Sequence, residues 1–273
     1  MIQLNYNLNN KDVSISWSNK EVFREVVGLQ TSWFGYTSDE LTDEILLSKL
    51  HSEYIGFMES VLENTRLPEN PVILDIGSGN SIIDLALYKY FDKKAKFYLL
   101  DGDKLFPPLY TKEINLHDSN FITFNTWEPV LDAIKTNDFD VNDFTFLVPN
   151  TEWNGEEYVP SKKSDAQFEN IQVDMIISKS SCGLHYPINI YWEKILQILK
   201  PGGWLYVAPM INIGNQFEFV SSHLGEPIKV NTMSMDTIKK DRPNDFLRWE
   251  KLMPDAHNPN AIWAYNALWQ RPL

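Results

Sequence analysis

One stretch of this chain has residue types and spacing that can hold a cofactor. Val72-Ile73-Leu74-Asp75-Ile76 is a short apolar run that passes directly into Gly77-Ser78-Gly79-Asn80, after which Ile82, Ile83, Ala86, Leu87 and Tyr90 recur at helical spacing. A buried strand that ends in a glycine turn and opens a helix lets backbone approach a ligand and aims the helix's first N–H groups at it. A dinucleotide fingerprint wants a small residue where Ile82 stands, and no Gly-Lys-Ser/Thr phosphate loop is present. A second acid follows the next apolar run, where Phe97-Tyr98-Leu99-Leu100 leads into Asp101, with Asp103 two residues on. A carboxylate accepts two hydrogen bonds from vicinal hydroxyls and tolerates a nearby cation, whereas Asp75 and Asp101 together repel a pyrophosphate. The spacing points to a nucleotide-type site whose ligand is cationic.

A polar segment, Ser178-Lys179-Ser180-Ser181-Cys182-Gly183-Leu184-His185-Tyr186-Pro187, follows the apolar run Val173–Ile177. The carboxyl edge of an open α/β sheet is where ligands bind. His185 there is either a general base or a wall of the pocket. Lys179 either meets an acidic substrate group or stays solvated, and Cys182 reads as small and buried rather than nucleophilic.

These residues need a scaffold, and the pattern supplies one. Residues 2–17 alternate apolar and polar on either side of Asn9-Asn10-Lys11-Asp12, which predicts a β-hairpin. Thr37 and Glu40 resemble a capping box, and the apolar positions from Leu41 to Leu62 predict an amphipathic helix over roughly 38–65. From Pro71 short apolar runs alternate with helical stretches, as around a parallel sheet: Val72–Ile76, Phe97–Leu100, Phe144–Val148, Val173–Ile177 and Trp204–Ala208. Trp192, Ile195, Leu196 and Leu199 form one helical stripe, stopped by Lys200-Pro201-Gly202-Gly203. Residues 217–224 predict another helix, and 228–233 and 262–269 two more strands. Residues 104–125 and 150–170 read as inserted loops on the substrate side.

Composition narrows the partners. With 24 Lys and Arg against 37 Asp and Glu, the formal charge of −13 argues against a grip on nucleic acid or an anionic membrane. No apolar run reaches the ~20 residues of a membrane span, and the start MIQLNYNLNN lacks the features of a signal peptide. A single cysteine excludes an intrachain disulfide and a cysteine-built zinc site, so a soluble protein of the cytoplasm, without a metal, is expected.

Taken in order, the motifs resemble those of the class I S-adenosylmethionine-dependent methyltransferases. Asp75, Gly77 and Gly79 match that family's acid-x-Gly-x-Gly, and Asp101 matches the acid after its second strand. Val173-Asp174-Met175-Ile176-Ile177-Ser178 echoes its fourth strand, and Ile198-Leu199-Lys200-Pro201-Gly202-Gly203-Trp204-Leu205 the approach to its fifth. The resemblance covers residues 71–209. It implies an α/β, Rossmann-like, doubly wound and mostly parallel seven-stranded sheet, with an N-terminal hairpin and helical cap over 1–70, the donor-binding domain over 71–273, and inserted loops. It implies S-adenosyl-L-methionine as cofactor, held by Asp75, Gly77, Ser78 and Gly79, by Asp101 and Gly102 near the ribose, and by Ser178. The third strand is either 121–124 or, preferably, 144–148; Asn150 or Thr151 at its end then faces the adenine edge or merely begins a loop. The implied activity is methyl transfer to a small-molecule acceptor, and the missing Asn-Pro-Pro-aromatic signature favours a hydroxyl oxygen. Two alternatives stand beside it: an enzyme of the same fold that does not methylate, of the aminopropyl transferase type, and a non-catalytic binding module.

Overall fold

The computed structural model describes residues 1–24, 42–101, 127–147, 151–153, 158–160, 168, 170–179, 181, 188–208, 216–234, 240 and 262–273. Ile2–Leu8 (β1) and Lys11–Trp17 (β2) form the expected antiparallel hairpin. Its turn is shorter than the sequence suggests: Asn9 and Asn10, both at positive φ, make a two-residue connection of the kind whose twist suits paired strands. Asp43–Asn64 (α1) follows, and here the sequence reading needs correction. Thr42 is extended (φ −71°, ψ 161°) and its hydroxyl accepts from Ile45 N, so this threonine caps the helix, with Asp43 and Glu44 favouring its positive end. Thr37 and Glu40 lie outside the described residues.

The centre is one seven-stranded sheet. Val72–Ile76 (β3), Lys96–Leu100 (β4), Phe144–Leu147 (β5), Val173–Lys179 (β8) and Leu199–Ala208 (β9) are mutually parallel. Ile262–Gln270 (β11) runs antiparallel to β9, and Lys229–Ser234 (β10) antiparallel to β11, giving the order β10-β11-β9-β8-β3-β4-β5. Together with α1, the described helices that flank it are Ile82–Tyr90 (α2), Glu128–Thr136 (α3), Trp192–Ile198 (α4) and Gln216–Leu224 (α5). This is a doubly wound, Rossmann-like α/β sheet, and the third strand is the 144–147 segment. The alternative at 121–124 lies outside the described residues. Within the expected loop 150–170, Thr151–Trp153 (β6) and Tyr158–Pro160 (β7) pair as a small antiparallel ladder that the aperiodic sequence did not signal.

Each face of the sheet buries its own core. Ile73, Phe97, Leu99, Met175, Ile177 and Tyr206 point to one side, against α1, α2, α3 and the hairpin; Phe57 of α1 stacks on Tyr206 with centroids 4.4 Å apart. Leu74, Ile76, Leu100, Ile176, Leu205 and Val207 point to the other, against α4 and α5. Successive strand residues thus alternate between two apolar layers, which explains why these runs read as continuously apolar. Leu199 departs from expectation: it begins β9 instead of closing the α4 stripe, because Pro201 disfavours helix in the residues before it and Leu199 turns extended (ψ 121°). No helix among the described residues is long and apolar enough to cross a membrane.

Candidate functional site

At the end of β3 the chain turns through Gly77 (φ +75°) and Gly79 (φ +57°). Gly77 N and Ser78 N both donate to Leu100 O, at 2.7 and 3.2 Å, and Gly79 N donates to Asp101 Oδ2. All three loop amides are therefore engaged inside the chain. A phosphate cradle needs such amides aimed at the ligand, so this loop is not one. Asp101 stands at the end of β4, only 8% exposed, its own N–H donating to Leu147 O at 3.2 Å.

Gly77 also lacks a side chain for a steric reason. A Cβ built there would overlap Cβ and Oγ of Ser181, so Ser181, two residues beyond β8, packs directly on the backbone of the glycine loop. Two constraints meet at this position, a left-handed backbone and a close neighbour.

Beneath the loop lie two carboxyl groups. Asp75 on β3 and Asp84 in the first turn of α2 are both buried, and the ionisation of each acts on the other. Burial raises both above the ordinary carboxylate range, and the negative charge of Asp101 pushes Asp75 further the same way. Ser78 Oγ, Ser81 Oγ, Asp75 Oδ1 and both carboxyl oxygens of Asp84 are buried with no hydrogen-bond partner among the described residues, an arrangement that leaves desolvated polar atoms to be satisfied.

On the other side of the crevice, Ser178 Oγ donates to Ile76 O at 2.8 Å and ties β8 to the last carbonyl of β3. Lys179 ends the strand. It is neither solvated nor open to an acidic ligand, the two fates its sequence position suggested: Nζ forms an ion pair with Glu53 of α1, and the lysine side chain is only 8% exposed. Beside Glu53, the Tyr54 hydroxyl hydrogen-bonds Asn80, and burial raises its pKa.

The fold thus brings Asp75, Gly77, Ser78, Gly79, Asp101 and Ser178 to one edge. Thr151 is the first residue of β6. Gly102, Asn150 and His185, with Cys182, lie outside the described residues. Sequence reasoning missed Asp84, Glu53 and Tyr54. Asp84 did leave a trace, as the one charged residue in Ile82-Ile83-Asp84-Leu85-Ala86-Leu87, a stretch that is buried throughout. Glu53 and Tyr54 left none, since a long amphipathic helix displays many such residues.

No family model matches the chain, and no curated protein does. Among solved structures it is similar to the [4+2]-cyclase SpnF, at 12% identity over 95% of this chain and 98% of that one, with a TM-score of 0.49. It is similar to geranyl diphosphate methyltransferase in complex with GPP and sinefungin, at 11% identity over 83% and 80%, TM-score 0.49. A third is an S-adenosylmethionine-dependent methyltransferase from Thiobacillus denitrificans in complex with S-adenosyl-L-homocysteine, at 14% identity over 75% and 76%, TM-score 0.39.

Proposed function

We propose that this protein is an S-adenosylmethionine-dependent methyltransferase whose acceptor is a small molecule, with a hydroxyl oxygen as the favoured nucleophile. The observation that carries the reading is the loop itself: its three amides are engaged within the chain, and a carboxylate stands at its mouth. Such a site suits a nucleoside that carries no phosphate, and the hydroxyls of Ser78 and Ser81, without a partner among the described residues, suit a ligand rich in polar atoms. The residues fit the group on these grounds. Asp101 with Gly102 would hold the ribose hydroxyls, Asn150 or Thr151 would meet the adenine edge, and Asp75, Gly77, Ser78, Gly79 and Ser178 would line the remainder.

When bound, the sulfonium supplies an activated methyl group and a neutral leaving group. The chain's tasks are then to orient the acceptor in line and to take its proton. His185, a few residues beyond β8, is the base in this proposal. The net charge of −13 supports a neutral or cationic acceptor over nucleic acid, and a cytoplasmic setting accords with the single cysteine.

Calorimetry with S-adenosylmethionine and S-adenosylhomocysteine tests the donor, with ATP and NAD as controls that should not bind. Micromolar binding of either control and none of the sulfur nucleosides sinks the reading. The acidic balance also favours a second one, aminopropyl transfer to a polyamine, which labelled donor separates by whether methyl or aminopropyl label appears in product.

A further inference from the structure

The chain leaves β3 toward β4 on one side and β8 toward β9 on the other, so the crevice between the carboxyl ends of β3 and β8 is the switch point of the sheet. Two consecutive residues of α1 reach both of its walls. Glu53 forms its ion pair with Lys179, the last residue of β8, with both side chains largely buried at 20% and 8% exposure. Tyr54 hydrogen-bonds Asn80 on the β3 side, and Asn80 Oδ1 accepts from Ile82 N at 3.2 Å, closing the first turn of α2. Lys179 Nζ also lies 5.8 Å from the centre of the Tyr54 ring, within reach of a cation–π contact. Two residues after Lys179, Ser181 rests on Gly77.

We infer that Glu53 and Tyr54 are positioning residues that clamp the two walls of this crevice, holding the glycine loop and the β8 edge at the separation a ligand requires. The physical basis is the cost of a buried ammonium without its counter-charge. Were Glu53 removed, Lys179 would have to turn to solvent or draw water in, and either movement displaces the end of β8 and with it Ser181. The hydroxyl of Tyr54 fixes the opposite wall through Asn80, so one helix sets both positions. The clamp is a feature of the free protein; that it serves donor binding rests on the function proposed above.

The test uses the full chain with Glu53→Gln, Lys179→Met, the milder Glu53→Asp, and the charge swap Glu53→Lys with Lys179→Glu. Hydrogen exchange of ligand-free protein should show residues 77–82 exchanging at least tenfold faster in the two neutralising variants. Glu53→Asp should be intermediate, the swap close to wild type, and the β1–β2 hairpin unaffected. Affinity for S-adenosylhomocysteine should fall at least tenfold in each neutralising variant, with no further fall when the two are combined, and recover in the swap. Wild-type exchange at 77–82 in the variants overturns the clamp, as does faster exchange spread evenly over the whole sheet. Wild-type protein that fails to bind S-adenosylhomocysteine overturns the donor instead, and the exchange data still decide the clamp.

Discussion

Asp75 and Asp84 lie inside the protein as a pair of buried carboxyl groups, and burial raises the pKa of each above the ordinary carboxylate range. After burial, the charge of Asp75 is the next cause that pushes Asp84 up, so the two titrate as a coupled pair. The folded chain therefore holds protons on this pair to a higher pH than the unfolded chain does.

The sign of the resulting pH dependence follows. Both folded pKa values lie above the unfolded ones, so this pair's contribution is fully favourable below the ordinary carboxylate range and is lost as pH rises through the folded values. Each pH unit over which the folded chain holds one extra proton is worth about 1.4 kcal/mol. Asp84→Asn keeps the shape of the side chain and removes one titrating carboxyl, so its melting temperature relative to wild type should climb from pH 5 to pH 8. A constant difference across that range would show that the pair does not titrate between them.

Asp101 should matter to the ligand directly. Asp101→Ala removes the acceptor at the end of β4 and frees Gly79 N, and is expected to weaken S-adenosylhomocysteine by about 1.5–3 kcal/mol. Titration calorimetry giving unchanged affinity would take Asp101 out of the site.

Gly77→Ala is expected to destabilise the fold by about 1–3 kcal/mol, through the strain of a left-handed alanine and the overlap with Ser181. Adding Ser181→Gly should return the steric share and leave the backbone share. Urea denaturation of the two single variants and the double variant measures both, and equal stability of Gly77→Ala and wild type would contradict the packing described here.

His185→Ala should lower turnover by about 10²–10⁴ and leave donor affinity nearly unchanged in titration calorimetry. Lost affinity with an intact rate at saturation would mean that His185 is pocket wall and that transfer proceeds by positioning.

The parallel strands were legible because burial on two faces leaves a local signature, a short apolar run, and β3 begins and ends where its run does. The glycine turn and Asp101 were legible for the same reason, each adjoining such a run. What escaped depended on contacts distant in sequence. Leu199 fits a helical stripe and is drawn into a strand by Pro201 and by pairing with β8. Glu53 acquires its role from Lys179, 126 residues away. Asp84 needed only the observation that an acid in a wholly apolar turn must find a partner inside.

The strand order has a consequence for how the protein is made. Among the described strands β10 joins the sheet through β11 alone, and β11 lies between it and β9. When a ribosome has delivered everything through residue 261, β10 has no partner and β9 presents an open, apolar edge. Until β11 emerges, that edge is a template for any extended segment nearby, including the same edge on a neighbouring nascent chain. Completion of this edge of the sheet thus waits for a strand that follows both of its neighbours in the chain, and the interval before it arrives leaves the edge of β9 open to aggregation.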